Sequence, residues 1–304
     1  MKKYLFALLF LCVYAVWLHG STGKCEQLKI IIPQGGSMQT VENILLEKKC
    51  IRSKFLFDVY TNLLNPQVKQ GTYIIAQSLP LYGYITVFSR EDVAVQTRFV
   101  IPEGYTNEQI AAQCQDKLSQ CNAKEFVVQA KTIQGYLFPD TYVFGGNETK
   151  SEVIAVMQKT FEKKARPLLN TYMGKLSAYE IINLASIVER EANNETDMKM
   201  IADILLRRLQ IGMALQVDAT LFYERGEGTY DLSIKELRQD SPYNTYTNIG
   251  LPPTPIANPG LRAIGAVVNP IQNKYLFYLT GVDGKMRYAV THDEHVRNKR
   301  LYLR

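Results

Sequence analysis

The sequence predicts an α+β protein in which a small α+β module precedes a larger body of mixed helices and strands. Three observations carry that expectation. Lys29–Leu45 (KIIIPQGGSMQTVENIL) and Phe99–Cys114 (FVIPEGYTNEQIAAQC) share one layout, in which an I-P-x-G element feeds a helix, so related units stand one after the other. From Ser151 to about Leu209 the pattern is helical, and strands and turns follow as far as the Pro-rich GLPPTPIANPG (Gly250–Gly260). Lys274–Val282 (KYLFYLTGV) then reads as a buried strand. With 304 residues and 46% hydrophobic content, the chain can bury a sizeable core, and its length suits about two domains.

Taken in order, the N-terminus comes first. Lys2 and Lys3 precede Tyr4–Leu18, a run of fifteen residues without charge, and His19 to Gly23 mark its exit. Fifteen residues at ~1.5 Å rise reach ~22 Å, short of the ~30 Å hydrocarbon core, so the pattern fits a short transmembrane anchor or a cleaved signal sequence. The lysines place the start on the cytoplasmic side in either case. Residues 1–20 are therefore assigned to this segment, 21–95 to the small module and 96–304 to the larger body, with the boundary near Arg90–Gln96.

Cys12 lies in the apolar run, which leaves Cys25, Cys50, Cys114 and Cys121, an even number that suits an exported protein. Cys25 precedes a strand expected over Leu28–Pro33, and Cys50 follows a helix expected from Ser37 to Lys49. If that helix packs back on the strand, the two sulfurs meet, which predicts a Cys25–Cys50 bridge. Ile110, Cys114 and Leu118 form a helical stripe, so Cys114 and Cys121 fit a local bridge or buried free thiols equally.

Further on, Ser177 and Glu180 make a capping box, and Ile181, Leu184, Ala185, Val188 and Ala192 repeat at helical spacing. Two glutamates flank the stripe. At ~100° per residue Glu189 falls on one shoulder and Glu191 on the other, with Arg190 pointing away. A carboxyl group against apolar neighbours has its charged form disfavoured, the profile of a general acid. Spacing leaves both candidates open, as well as a plain helix-flanking ion pair. Glu189 shares its shoulder with the small Ala185 and Ser186, which leave room for a substrate, and this favours Glu189.

Several strings carry a family resemblance: GYLFPDTY (Gly135–Tyr142), LASIVE (Leu184–Glu189), the D-x-K-x-x-A-x-x-L-x-R-x-L run from Asp197, GMALQVDAT (Gly212–Thr220), and SPYNTY (Ser241–Tyr246) with GLPPTPIANPG. In this order they resemble the YceG-like endolytic murein transglycosylases, from about Leu28 to the C-terminus. The resemblance implies a LysM-like small module, a YceG-like catalytic domain and an uncleaved N-terminal membrane anchor. It makes Glu189, closing LASIVE, the catalytic glutamate, and places Gln216, Asp218, Tyr243, Asn244 and Tyr246 around the sugar chain. Alone, SPYNTY would read as a surface turn. The chain departs from the family pattern at Gln134, Ala219, Thr254, Met286 and Val296, where Glu, Pro, Gly, His and Asn are usual.

The resemblance further implies cleavage of the MurNAc-GlcNAc bond within nascent glycan strands, leaving 1,6-anhydro-MurNAc ends and terminating elongation. One carboxyl group suffices, since it protonates the leaving oxygen and then takes a proton from the C6 hydroxyl of the same sugar. Expected partners are peptidoglycan strands, the inner membrane through the N-terminal segment, and cell-wall synthases, with the catalytic part outside the cytoplasmic membrane. No cofactor is expected. An inverting muramidase-type hydrolase pairing Glu189 with Asp218 or Asp140, and a non-catalytic peptidoglycan-binding scaffold, are the alternatives.

Other chemistries find no support. His292 and His295 in HDEH lack a third metal ligand, so no metal is expected, and no CxxC, G-x-S-x-G, P-loop or dinucleotide fingerprint occurs. The net charge of +6 favours approach to anionic lipid and acidic wall polymers. No nucleic-acid signature accompanies it, and the terminal VRNKRLYLR reads as a solvated tail.

Overall fold

In the computed structural model, residues 25, 28–32, 35–90, 97–226 and 233–303 are described. The segment assigned to residues 1–20 lies outside them. Among the described residues no helix is long and apolar enough to cross a membrane. The chain divides into two units, one of residues up to Phe99 with Cys114–Cys121 and Tyr142–Thr149, the other of Val100–Gln113, Asn122–Thr141 and Lys150 onward.

The first unit opens with β1 (Leu28–Ile32), α1 (Met38–Glu47), α2 (Lys54–Leu64), β2 (Gly71–Ile75) and α3 (Leu81–Ser89). β1 and β2 pair antiparallel, Leu28 opposite Ile75 and Ile32 opposite Gly71. Alternation sends Ile30 and Ile32 inward, where Val41, Leu45, Phe57, Tyr73, Tyr84 and Phe88 complete the core. Ser37 caps α1 by accepting the Thr40 N–H, so the helix starts one residue after the cap. Cys25 and Cys50 are joined by a disulfide, Cα atoms 5.4 Å apart, and both lie in this core.

The chain continues through β3 (Thr97–Val100), α4 (Asn107–Lys117), α5 (Ala123–Ala130) and β4 (Thr141–Phe144), with β3 and β4 forming a second two-stranded sheet. Cys114–Cys121 and Tyr142–Thr149 group with the first unit. Cys114 and Cys121 are also bridged, Cα atoms 5.7 Å apart, which decides between the two states the stripe allowed.

The second unit is mainly helical: α6 (Lys150–Lys164), α7 (Arg166–Leu169), α8 (Ala178–Glu191), α9 (Glu195–Gln210), α10 (Asp218–Arg225), α11 (Ile234–Leu237) and α12 (Leu261–Val268), then β5 (Phe277–Thr280), β6 (Met286–Ala289) and α13 (His292–Tyr302). Its core joins α8, α9 and α12 through Ile181, Leu184, Val188, Ile201, Leu205, Ile264 and Val267. Two readings are corrected here. Between α9 and β5 the described residues hold helices and turns, because Asp218 supplies an acidic first turn and Gly226 a left-handed C-cap for α10. The strand within Lys274–Val282 is limited to Phe277–Thr280 and only Leu279 of its four residues is buried, since it forms a half-covered hairpin with β6.

Candidate active site

Helix α8 is the centre of the second unit. Every residue from Ile181 to Val188 is buried, so the helix is surrounded on all sides and not merely along one stripe. Its two buried polar side chains are used to hold the Pro-rich segment. Asn183 donates to the Pro252 carbonyl at 2.7 Å, while Ser186 accepts the Ile256 N–H at 2.9 Å and donates to the Asn183 carbonyl at 2.6 Å.

The end of that segment is fixed by Asn258, which is fully buried. Its Oδ1 accepts the N–H groups of Gly135 and Leu137 at 3.0 and 2.9 Å, and its Nδ2 donates to the Tyr105 carbonyl and Asn107 Oδ1, each at 3.0 Å. Gly135 has φ +90°, and a Cβ there would lie 2.6 Å from Ile182 Cγ2, so glycine alone allows GYLFPDTY to reach α8. Gln134, at the first departure from the family pattern, is buried beside it and accepts the Asn107 N–H at 3.1 Å.

Glu189 and Glu191 leave α8 into different surroundings. Glu189 Oε2 accepts the Gly260 N–H at 2.9 Å, at the N-terminus of α12, where the helix dipole favours a negative charge. Burial pushes its carboxyl up, the Gly260 N–H draws it down, and nearby Glu103, itself paired with Arg262 at 2.8 Å, pushes it up again; the net direction is upward. The space beside Ser186 is taken by the Pro-rich segment, as the Ser186–Ile256 bond shows, and Ala185 is fully buried in the core. The premise that favoured Glu189 is thus corrected: its small neighbours are covered by protein.

Glu191 Oε2 accepts the Tyr278 hydroxyl at 3.0 Å. Burial pushes its carboxyl up to about 7; the Tyr278 hydrogen bond opposes this, the Asp218 charge adds to it, and Arg190 and Arg208 oppose it. Asp218 accepts the Tyr246 hydroxyl. Glu191 and Asp218 both push the Tyr246 phenol upward, after burial, which groups Asp218, Tyr246, Tyr278 and Arg208 around Glu191 electrostatically. Arg208 is anchored behind them, its Nε donating to the Leu276 carbonyl at 2.7 Å.

Other residues expected at the sugar fare differently. Gln216 is exposed, with φ +53° and its N–H bonded to the Thr245 carbonyl at 2.9 Å. Tyr243 packs against Tyr223 with ring centroids 5.4 Å apart and shares a 2.8 Å hydrogen bond with Thr254. Asn244 is buried, donates to the Gln239 carbonyl at 2.7 Å and accepts the Tyr246 N–H at 2.9 Å, so it ties its own loop together. Asp140 pairs with Lys164 at 2.6 Å; burial raises its carboxyl, but Lys164 and the Thr141 N–H outweigh this and hold it low. His295 stacks on Phe277, and burial holds its imidazole down at about 4.

Tyr278, Arg208 and Asn258 escaped the sequence reading. Tyr278 lay inside an apolar string read as core, Arg208 inside the long helix, and Asn258 in a loop where Asn and Pro serve first as punctuation. Only burial of their polar groups marks them, and burial is not a local property of the sequence.

Comparison with known proteins adds an independent line. A crystal structure of a putative yceG-like protein from Listeria monocytogenes matches with a TM-score of 0.59 and 31% identity, over 90% of this chain and 99% of that one. A Bacillus subtilis protein named endolytic murein transglycosylase is 29% identical over 308 residues, 91% of this chain and 85% of the relative. One of the same name from Streptococcus pneumoniae D39 is 28% identical, and there the match covers 88% of this chain but 57% of the relative. The model of the YceG-like family matches residues 30–301. The chain belongs to the YceG-like family.

Proposed function

We propose that this protein is an endolytic peptidoglycan transglycosylase in which Glu191, and not Glu189, is the proton shuttle. The observation that carries this assignment is the carboxyl group of Glu191, raised to about 7 by burial amid Tyr278, Asp218 and Tyr246. A group poised there is protonated often enough to donate and basic enough to accept. Glu189, by contrast, is engaged by the N-terminus of α12, which supports a structural role. The names of the relatives support the substrate and reaction class.

The steps follow from these groups. Glu191 gives its proton to the glycosidic oxygen between MurNAc and GlcNAc, and the C1–O bond breaks. Positive charge grows at C1 and the ring oxygen, where the Asp218 carboxylate, oriented by Tyr246, offsets it. The C6 hydroxyl of the same sugar attacks C1, and Glu191, now a carboxylate held by Tyr278, takes the hydroxyl proton. The anhydro ring closes, and the enzyme returns to its starting state. Because the nucleophile is tethered to the reacting sugar, the protein contributes orientation and water exclusion.

In this reading the two disulfides suit an extracytoplasmic location, the Tyr4–Leu18 run tethers the chain to the inner membrane, and the first unit is a LysM-like module holding glycan near synthases. The test is digestion of purified glycan strands with mass analysis of the new ends. Wild-type protein should yield anhydro ends, Glu191→Gln none, and Glu189→Gln should keep the activity of whatever fraction folds. Reducing ends would instead establish a hydrolase. Full cleavage by Glu191→Gln with loss in a folded Glu189→Gln protein would return the role to Glu189.

A further inference from the structure

Beside α8 the second unit holds a cavity of about 510 Å³ whose wall includes Arg190, Glu108, Glu224, Phe222, Tyr223 and Tyr243. Arg262, Arg225 and Arg166 are each salt-bridged to a glutamate, whereas among the described residues the side chains of Arg190 and Glu108 make no hydrogen bond or salt bridge. Both line the same cavity, and no salt bridge joins them. Glu224 adds a second carboxylate, which accepts the Ser241 hydroxyl. Two of the lining rings are held in place: Tyr223 and Tyr243 pack together, Tyr243 is tied to Thr254, and burial pushes the Tyr223 phenol up to about 12, so it stays neutral.

A cation and two anions around one cavity that aromatic rings also line match a ligand that carries both charges. A guanidinium is suited to a carboxylate, and carboxylates are suited to an ammonium group whose methylene stem lies on the rings. Glycan alone offers no ammonium group. Peptide stems of peptidoglycan do, because their diamino acid carries a free side-chain amine near backbone or terminal carboxylates.

We infer that this cavity is a stem-peptide site, in which Glu108 and Glu224 bind the amine of the diamino acid and Arg190 binds a carboxylate of the same peptide. This rests on the reading of the protein as a peptidoglycan enzyme and adds to it the requirement that the strand be dressed with peptides. Arg190 lies between Glu189 and Glu191 in sequence, so an occupied cavity would fix the strand relative to the reacting bond.

The experiment uses the full chain in detergent and the tripeptide L-Ala-γ-D-Glu-L-Lys, with free or acetylated side-chain amine, followed by titration calorimetry. The free-amine peptide should bind saturably, and acetylation or Glu108→Gln should each weaken it at least about tenfold. Arg190→Gln should weaken both peptides. Equal binding of the free and acetylated peptides, or no binding of either, would overturn the inference. In parallel, cleavage of peptide-bearing strands is compared with strands stripped by an amidase. Glu108→Gln should slow only the former, moving the ratio of kcat/KM toward one. Failure to cleave either strand, with amine-dependent peptide binding intact, would count against the transglycosylase reading and leave the peptide site standing.

Discussion

The hydroxyl of Ser186 receives the backbone N–H of Ile256 at 2.9 Å, so a small side chain on the central helix marks a docking point for another stretch of the same protein. This relationship separates the two glutamates that follow. The face bearing Ser186 is closed by the Pro-rich segment, and the glutamate near it is met by the Gly260 amide. The face bearing Glu191 instead meets side chains, Tyr278 above all.

Ser186→Ala should therefore lower stability by about 1–2 kcal/mol, since the buried Ile256 N–H loses its acceptor. Ser186→Val should cost about 1–3 kcal/mol through overpacking as well. Urea unfolding followed by tyrosine fluorescence measures both. A valine variant as stable as wild type would show that the contact is slack.

The pH dependence of cleavage tests the assignment of Glu191. The donor must start protonated, so kcat/KM should fall about tenfold per unit as pH rises beyond about 7. The Tyr278 hydroxyl lowers this carboxyl and the Asp218 charge raises it. Tyr278→Phe should accordingly move the descending limb to higher pH, and Asp218→Asn to lower pH. Opposite displacements, or a limb that ignores both changes, would sink the assignment.

The same carboxyl links folding to pH. Its native value lies above its usual 4.5, so the folded state binds the proton more tightly. Its contribution to stability is greatest below pH 4.5 and is lost as pH rises from there through about 7. Glu191→Gln should flatten that part of the stability profile, measured by thermal melts across the window.

How much of this was legible in the sequence depends on the range of each interaction. The α8 capping box needs only Ser177 and Glu180, and the apolar positions after it fix the helix, so both could be read directly. The pairing of Cys25 with Cys50 followed from one strand and one helix folding back. The surroundings of Glu191 could not be read, because Asp218, Tyr246 and Tyr278 come from three later elements, and their convergence is a property of the packed chain. Local reasoning saw small residues as room and had no means to see what fills it.

Asn258 offers a sharper test of packing. Asn258→Ala should strand the Gly135 and Leu137 N–H groups, at about 1–3 kcal/mol each. Gly135→Ala should be at least as damaging, given its φ of +90° and the approach of Ile182. Soluble yield and thermal midpoint report both. Wild-type midpoints would show that the loop can repack.

The disulfides should differ in weight. Cys25 and Cys50 close a separation of 25 residues, Cys114 and Cys121 one of 7. Loop-closure entropy gives about 3.5 and about 2.4 kcal/mol respectively. Cys25→Ser and Cys114→Ser variants, compared by denaturant unfolding, check that order.

A helix enclosed around its whole circumference cannot roll about its axis without tearing out neighbours on every side. The aim of each carboxylate is therefore settled once, when the core condenses, and no later adjustment can swap their duties. Any adaptation to a new polymer would have to come from the surrounding loops, with the central rod left untouched.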